Sequence, residues 1–228
     1  MNRAGMIRSG RLLLAAIMVC ACLAARAQQA PSLSARDLAE RVNGHYDSLR
    51  SLRASFSESY QGLGMERTES GTLLLSKPGR MRWDYATPAG KLFLIDGKYA
   101  WFYTPGDRQV QRIPAKQLDD LRSPLRFLLG HTNLEKELTG LHLVGGSAGH
   151  GYAVLIGQPK GQEKRVSRIL LTIDPDTGAI GTIEIDEVDG AITRFTFTDQ
   201  KADVPVSPES FRFTPPEGVP VVDALPPV

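Results

Sequence analysis

Residues 71–103, GTLLLSKPGRMRWDYATPAGKLFLIDGKYAWFY, constrain the fold more than any other part of the chain. From Arg80 to Tyr85 the side chains alternate without a break, with Met81, Trp83 and Tyr85 on one face and Arg80, Arg82 and Asp84 on the other. That is the period of a strand with one apolar side. Two further apolar runs, 92–95 and 99–103, flank Asp96-Gly97. Asp-Gly is a strong hairpin signal because both residues tolerate positive φ. The segment therefore predicts several short antiparallel strands with bulky apolar groups on a shared face, and such a face needs a lid or a ligand.

The N-terminus carries a different pattern. Arg3, Arg8 and Arg11 precede a 14-residue apolar run, 12–25, and Ala25-Arg26-Ala27 places small residues where a signal peptidase reads. The run is shorter than the roughly 20 residues needed to span a bilayer. Residues 1–27 are expected to be a signal peptide and 28–228 a single exported domain. Cys22 leaves a second route open, cleavage before it and lipidation, as in bacterial lipoproteins. Cleavage after Ala27 would remove Cys20 and Cys22, the only cysteines, and with them any disulfide or thiol chemistry. It would also remove four of the 27 basic residues, leaving 23 against 25 acidic ones, a net charge of about −2. No basic patch argues for nucleic acid.

Ser34 and Asp37 have capping-box spacing, and Leu38, Val42, Tyr46 and Leu49 follow at helical spacing, so a helix is expected over about 35–49. From Leu52 the period changes to two, which predicts a first strand through Tyr60 and then a polar turn over 61–68. Another strand is expected over 108–113. Ser123-Pro124 ahead of Leu125, Phe127, Leu128 and Leu129, with Gly130 as a stop, predicts a short helix. A helix of about two turns is not stable alone, so its apolar residues are expected against the apolar sheet face. Strands at 141–144, 152–156, 168–173, 179–188, 191–198 and 211–213 follow, separated by turn formers such as Asp174-Pro175-Asp176-Thr177-Gly178 and Asp189-Gly190. The predicted fold class is mainly β with inserted helices: about ten strands in meander order, forming a curved sheet or incomplete antiparallel β-barrel.

Chemistry is poorly signalled. His45, His131, His142 and His150 have no partners at metal-ligand spacing. There is no Gly-x-Ser-x-Gly and no glycine-rich strand-to-helix loop. Asp119-Asp120 and the pair Glu184 and Asp186 read as solvated carboxylates. No enzyme, metal or cofactor is expected. The apolar surplus says more, because 92–95 and 99–102 are hydrophobic on both faces, which a sheet with one wet side does not need. A sandwich core and a cavity for an apolar ligand both account for it.

Several separated pieces then occur in one order: Leu52-Arg-Ala-Ser-Phe56; Gly71 through Gly79 running into Met81-Arg-Trp83; Asp96-Gly97 running into Trp101-Phe102-Tyr103; Ser123-Pro124-Leu125; and Phe211-Arg-Phe-Thr-Pro-Pro-Glu-Gly218. Over residues 33–224 the chain resembles the LolA family of periplasmic lipoprotein carriers. The resemblance implies an unclosed antiparallel β-barrel with a helical lid over a hydrophobic cavity. It implies a monomeric chaperone that takes acylated lipoproteins from an inner-membrane ABC transporter, shields their acyl chains across the periplasm and passes them to the outer-membrane receptor LolB. Met81, Trp83, Leu92, Leu94, Leu125 and Leu128 are the residues it implies for acyl-chain binding. Lys77 stands where the family often has an arginine that latches the lid, and an ammonium is a less directional latch than a planar guanidinium. Two relatives of the same fold remain open, a lipid-anchored LolB-like receptor and an envelope-stress regulator that senses lipid or a signalling protein.

Overall fold

The computed structural model describes residues 33–120, 133–144 and 151–223. The predicted signal peptide, Cys20 and Cys22, and the predicted helix bearing Leu125 and Leu128 lie outside the described residues. Helix α1, Ala35–Ser48, starts as its sequence predicts: Asp37 N–H donates to Ser34 Oγ (3.1 Å), and Ser34 N–H donates to Asp37 Oδ2 (3.2 Å). It buries Leu38, Ala39, Val42 and Tyr46 on one side. Two short helices follow among the described residues, α2 at Ala115–Asp120 and α3 at Leu134–Glu137. Among the described residues no helix is long and apolar enough to cross a membrane.

Among the described residues, twelve strands form one sheet. In chain order they are β1 Ser51–Gly62, β2 Met65–Ser76, β3 Arg80–Thr87, β4 Leu92–Ile95, β5 Tyr99–Tyr103, β6 Val110–Pro114, β7 Leu138–Leu143, β8 Ala153–Pro159, β9 Val166–Ile173, β10 Ile180–Glu187, β11 Ile192–Ala202 and β12 Val221–Asp223. Their order across the sheet is β12-β6-β5-β4-β3-β2-β1-β11-β10-β9-β8-β7. The mainly β, unclosed architecture is as predicted, since β12 and β7 remain edges. Two antiparallel meanders, β1 to β6 and β7 to β11, meet where β1 pairs with β11 from Leu52↔Ala202 to Gln61↔Ile192.

Two local expectations are corrected. Residues 61–68 do not make a polar turn. β1 and β2 run to Gly62 and Met65, and only Leu63 and Gly64 lie between them, at φ of 51° and 74°. Both φ values are positive, which closes a two-residue hairpin of the primed type. Residues 211–213 are not a strand. Pro208–Phe211 is a single 3₁₀ turn, with Pro208 in its first turn, where a missing N–H costs no ladder bond. The proline-rich end instead supplies β12, which pairs with β6 in parallel, Val221↔Val110 through Asp223↔Arg112.

Candidate functional site

The candidate site is the sheet face that α1 covers. Register decides which residues reach it. Leu75, Met81, Ile95 and Ala100 oppose one another across β2 to β5, as do Leu73, Trp83, Phe93 and Phe102 one pleat further on. Met81 and Trp83 are each 1% exposed and share one apolar cluster with Leu38, Val42 and Tyr46 of α1. The Trp83 ring meets Phe56, Phe195 and Phe197 edge-on, at centroid distances of 4.5, 5.8 and 6.1 Å. Among the described residues its indole N–H finds no hydrogen-bond partner, so packing alone holds the ring.

Leu92 and Leu94 do not join this face. They oppose Asp84 and Arg82, and so point to the other side of the sheet. There they pack with Phe211 in a second cluster that Leu74, Trp101, Val206 and Phe213 border. Phe93 and Ile95 are the members of that run that share the face of Met81 and Trp83. The second face is covered because Arg82 reaches the C-terminal segment, donating to Ser210 O (3.1 Å) and Arg212 O (3.3 Å) while paired with both carboxylate oxygens of Asp84. This cover accounts for the two-sided hydrophobicity of β4.

Four side chains, Lys77, Arg41, Tyr46 and Asn43, hold α1 down. Lys77, in the turn after β2, donates to Tyr46 O (2.5 Å) and Asp47 O (3.0 Å), carbonyls of the last helical turn that have no intrahelical partner. Lys77 thus joins the end of α1 to the turn after β2 by two hydrogen bonds; its relation to the predicted helix at 123–130 lies outside the described residues. The cleft beside it, bordered by Leu49, Leu52, Leu75 and Arg80, has room for about one water. Further along the helix, Arg41 Nη1 donates to Pro175 O (2.5 Å). The buried Tyr46 hydroxyl accepts from Ile180 N–H (3.1 Å), and desolvation pushes its pKa up to about 12. Asn43 Oδ1 accepts from Leu134 N–H (3.1 Å) and so joins α1 to α3.

A Lys77→Met variant keeps the apolar stem and removes both charge-assisted bonds. With Lys77 partly exposed, the expected loss is about 1–2 kcal/mol. Hydrogen exchange should accelerate at residues 43–48 and stay unchanged in β9 and β10; uniform acceleration would mean that the latch is not local.

Beyond Tyr85 the same face turns polar. Glu58 and Glu69 oppose each other on β1 and β2. Lys91 pairs with Glu69, Arg67 lies between the two carboxylates (3.5 and 3.3 Å), and Tyr85 Oη donates to Glu58 (3.4 Å). Burial, and then the charge of Glu69, raise the Glu58 pKa above the usual carboxylate range. A folded-state pKa above the unfolded value means that the native state holds its proton longer, so this group's contribution to stability falls as pH rises from about 4.3 through the raised value. Glu58→Gln should remove that slope, seen as a urea midpoint that gains on the parent as pH increases. A pH-independent difference would contradict the sign.

Sequence reasoning missed Phe93, Ile95 and Gly178, which lies against α1. The Asp174–Gly178 turn was legible in sequence, but nothing local showed that a helix passes over it. No group of His, Cys, Asp or Glu among the described residues is arranged to hold a metal.

Residues 47–214 match the family model described as outer membrane lipoprotein carrier protein LolA. The chain is 29% identical over 213 residues to an outer-membrane lipoprotein carrier protein of Cupriavidus necator, covering 90% of this chain and 96% of that one. It is 28% identical over 217 residues to the protein of that name from Methylococcus capsulatus, covering 93% and 97%. Among solved structures, an uncharacterized conserved protein from Thermus thermophilus superposes with a TM-score of 0.54 at 13% identity, covering 83% of this chain and 99% of that one, which speaks to the fold.

Proposed function

The chain belongs to the LolA family of outer membrane lipoprotein carrier proteins, and on that premise we propose that it is a periplasmic chaperone whose α1-covered face shelters the acyl chains of lipoproteins. The observation that supports this most directly is the pairing of a large apolar face, centred on Met81 and Trp83, with an amphipathic helix tethered by a handful of polar contacts. Each methylene withdrawn from water is worth about 0.8 kcal/mol. An acyl chain offers enough methylenes to repay both the tethers of α1, each worth on the order of 1 kcal/mol, and the re-exposure of apolar residues such as Leu38 and Val42, each about 1.5–3 kcal/mol. A cover of that strength yields to cargo and re-forms after release, the behaviour of a two-state element biased by its ligand.

The acyl chains would contact Met81, Trp83, Phe93 and Ile95. Cargo would arrive from an inner-membrane ABC transporter and leave to a LolB-type receptor, with export through residues 1–27. No chemical step or cofactor is needed.

Intact mass and lipid extraction of the protein recovered from the native envelope test the proposal. The expected species begins at Gln28 and copurifies with acylated lipoprotein. A species beginning at Cys22 and carrying its own acyl chains would overturn soluble carriage and assign the same face to a membrane-anchored receptor.

A further inference from the structure

Two neighbouring hairpin tips carry apolar side chains into solvent. Leu63 and Met65, at the β1–β2 tip, are 74% and 59% exposed, and Val188, at the β10–β11 tip, is 57% exposed. The tips lie side by side because β1 pairs with β11 up to Gln61↔Ile192. A Cβ added to Gly62 would fall 2.5 Å from Ala191 Cβ, so the two turns touch at their bases. Three of the large exposed apolar residues are thereby gathered at one end of the sheet.

Turn chemistry does not explain Leu63. Its φ of 51° lies in the left-handed region, which a leucine occupies at a cost and an asparagine or aspartate occupies readily. Among the described residues the other non-glycine positions at positive φ are both aspartates, Asp199 at 51° and Asp203 at 52°. At the β1–β2 tip the chain places a strained, exposed leucine before Gly64 and follows it with an exposed methionine. The left-handed leucine works against the isolated fold.

We infer that these tips insert into the apolar boundary of a lipid bilayer. They form a projection rather than a groove, and a projection enters a deformable apolar phase without needing a matching pocket. Three side chains fall far short of the roughly 1,000 Å² that a specific protein interface buries, whereas shallow insertion of a few apolar groups gives reversible membrane contact. The inference goes beyond carriage: it gives the protein a direct approach to a membrane surface and stands or falls without cargo.

Co-sedimentation of the processed protein, without cargo, with phosphatidylethanolamine and phosphatidylglycerol vesicles tests it. Binding is expected and should persist at high salt, because it is apolar. Leu63→Asn restores the favoured Asn-Gly turn, so its thermal stability should hold or rise while vesicle partitioning drops about tenfold. Met65→Ser, at a position that needs no special backbone, should lower partitioning in the same direction. Equal binding by parent and variants, or no binding by the parent, overturns the inference. Self-association of the parent that Leu63→Asn abolishes, with vesicles ignored, assigns the tips to a second copy and overturns it as well. Cargo found on a parent that ignores vesicles would leave carriage standing and remove only this inference.

Discussion

Met81→Glu is expected to abolish acyl-chain binding at neutral pH and to lower folding stability by about 4 kcal/mol. Met81 is 1% exposed, between Leu75 and Ile95 on the face that α1 covers, and the cluster it belongs to is made of apolar side chains. A carboxylate at that depth has lost its hydration without gaining a partner. Its penalty is limited by protonation: with an unfolded pKa of about 4.3, holding the proton at pH 7 costs roughly 4 kcal/mol at about 1.36 kcal/mol per pH unit. The defect should therefore shrink as pH falls toward the unfolded value, because the folded pKa is raised and the protonated form carries no charge. Urea denaturation across pH, together with binding of a triacylated peptide, measures both effects. A pH-independent loss would mean that shape rather than charge is responsible, and unchanged peptide binding at neutral pH would remove Met81 from the acyl site.

Gly178→Ala is expected to cost about 3 kcal/mol and to loosen α1 without disturbing the sheet beneath it. Gly178 sits at φ +77°, and a Cβ there would lie 2.5 Å from the carbonyl oxygen of Arg41 and 2.7 Å from its carbonyl carbon. Those atoms are helix backbone and cannot rotate away. The left-handed conformation costs an alanine about 1–2 kcal/mol, and displacing α1 adds about 1–3 kcal/mol. Because Arg41 and Tyr46 bond to the same turn and to Ile180, the displacement would strain those contacts too. Faster hydrogen exchange across 38–48, with strands β1 and β2 unchanged, is the expected signature. If α1 is the cover over the acyl site, lipopeptide should also associate and dissociate faster in this variant, and more so than in Lys77→Met, which loses only the end of the helix. Slowed or unchanged exchange of ligand would show that α1 does not gate the site.

The contrast between these two positions bears on what could be read in advance. Met81 was legible because the alternation from Arg80 to Tyr85 is a local property of six consecutive residues. Gly178 was legible as a turn residue, but the helix above it is more than 130 positions away in the chain, and only the folded contact makes its missing side chain matter. Leu92 and Leu94 show the same limit. Their run is apolar throughout, so periodicity could not choose between Phe93 with Ile95 and Leu92 with Leu94; a shift of one residue in strand pairing reverses every side chain.

Local chemistry in the sequence therefore determined the capped helix α1, the alternating strand β3, the Asp-Gly turns and the mainly β class, because each depends on sterics or hydrogen bonds within a few residues. Only the tertiary structure decided the pairing of β1 with β11, the face occupied by each residue of β4, the burial of Phe211 over Leu92 and Leu94, and the grip of Lys77 on the end of α1. These depend on which distant partner supplies the opposing hydrogen bonds and apolar surface. Many segments of this chain offer such partners locally alike, and the choice among them is made by the burial of the whole apolar face at once.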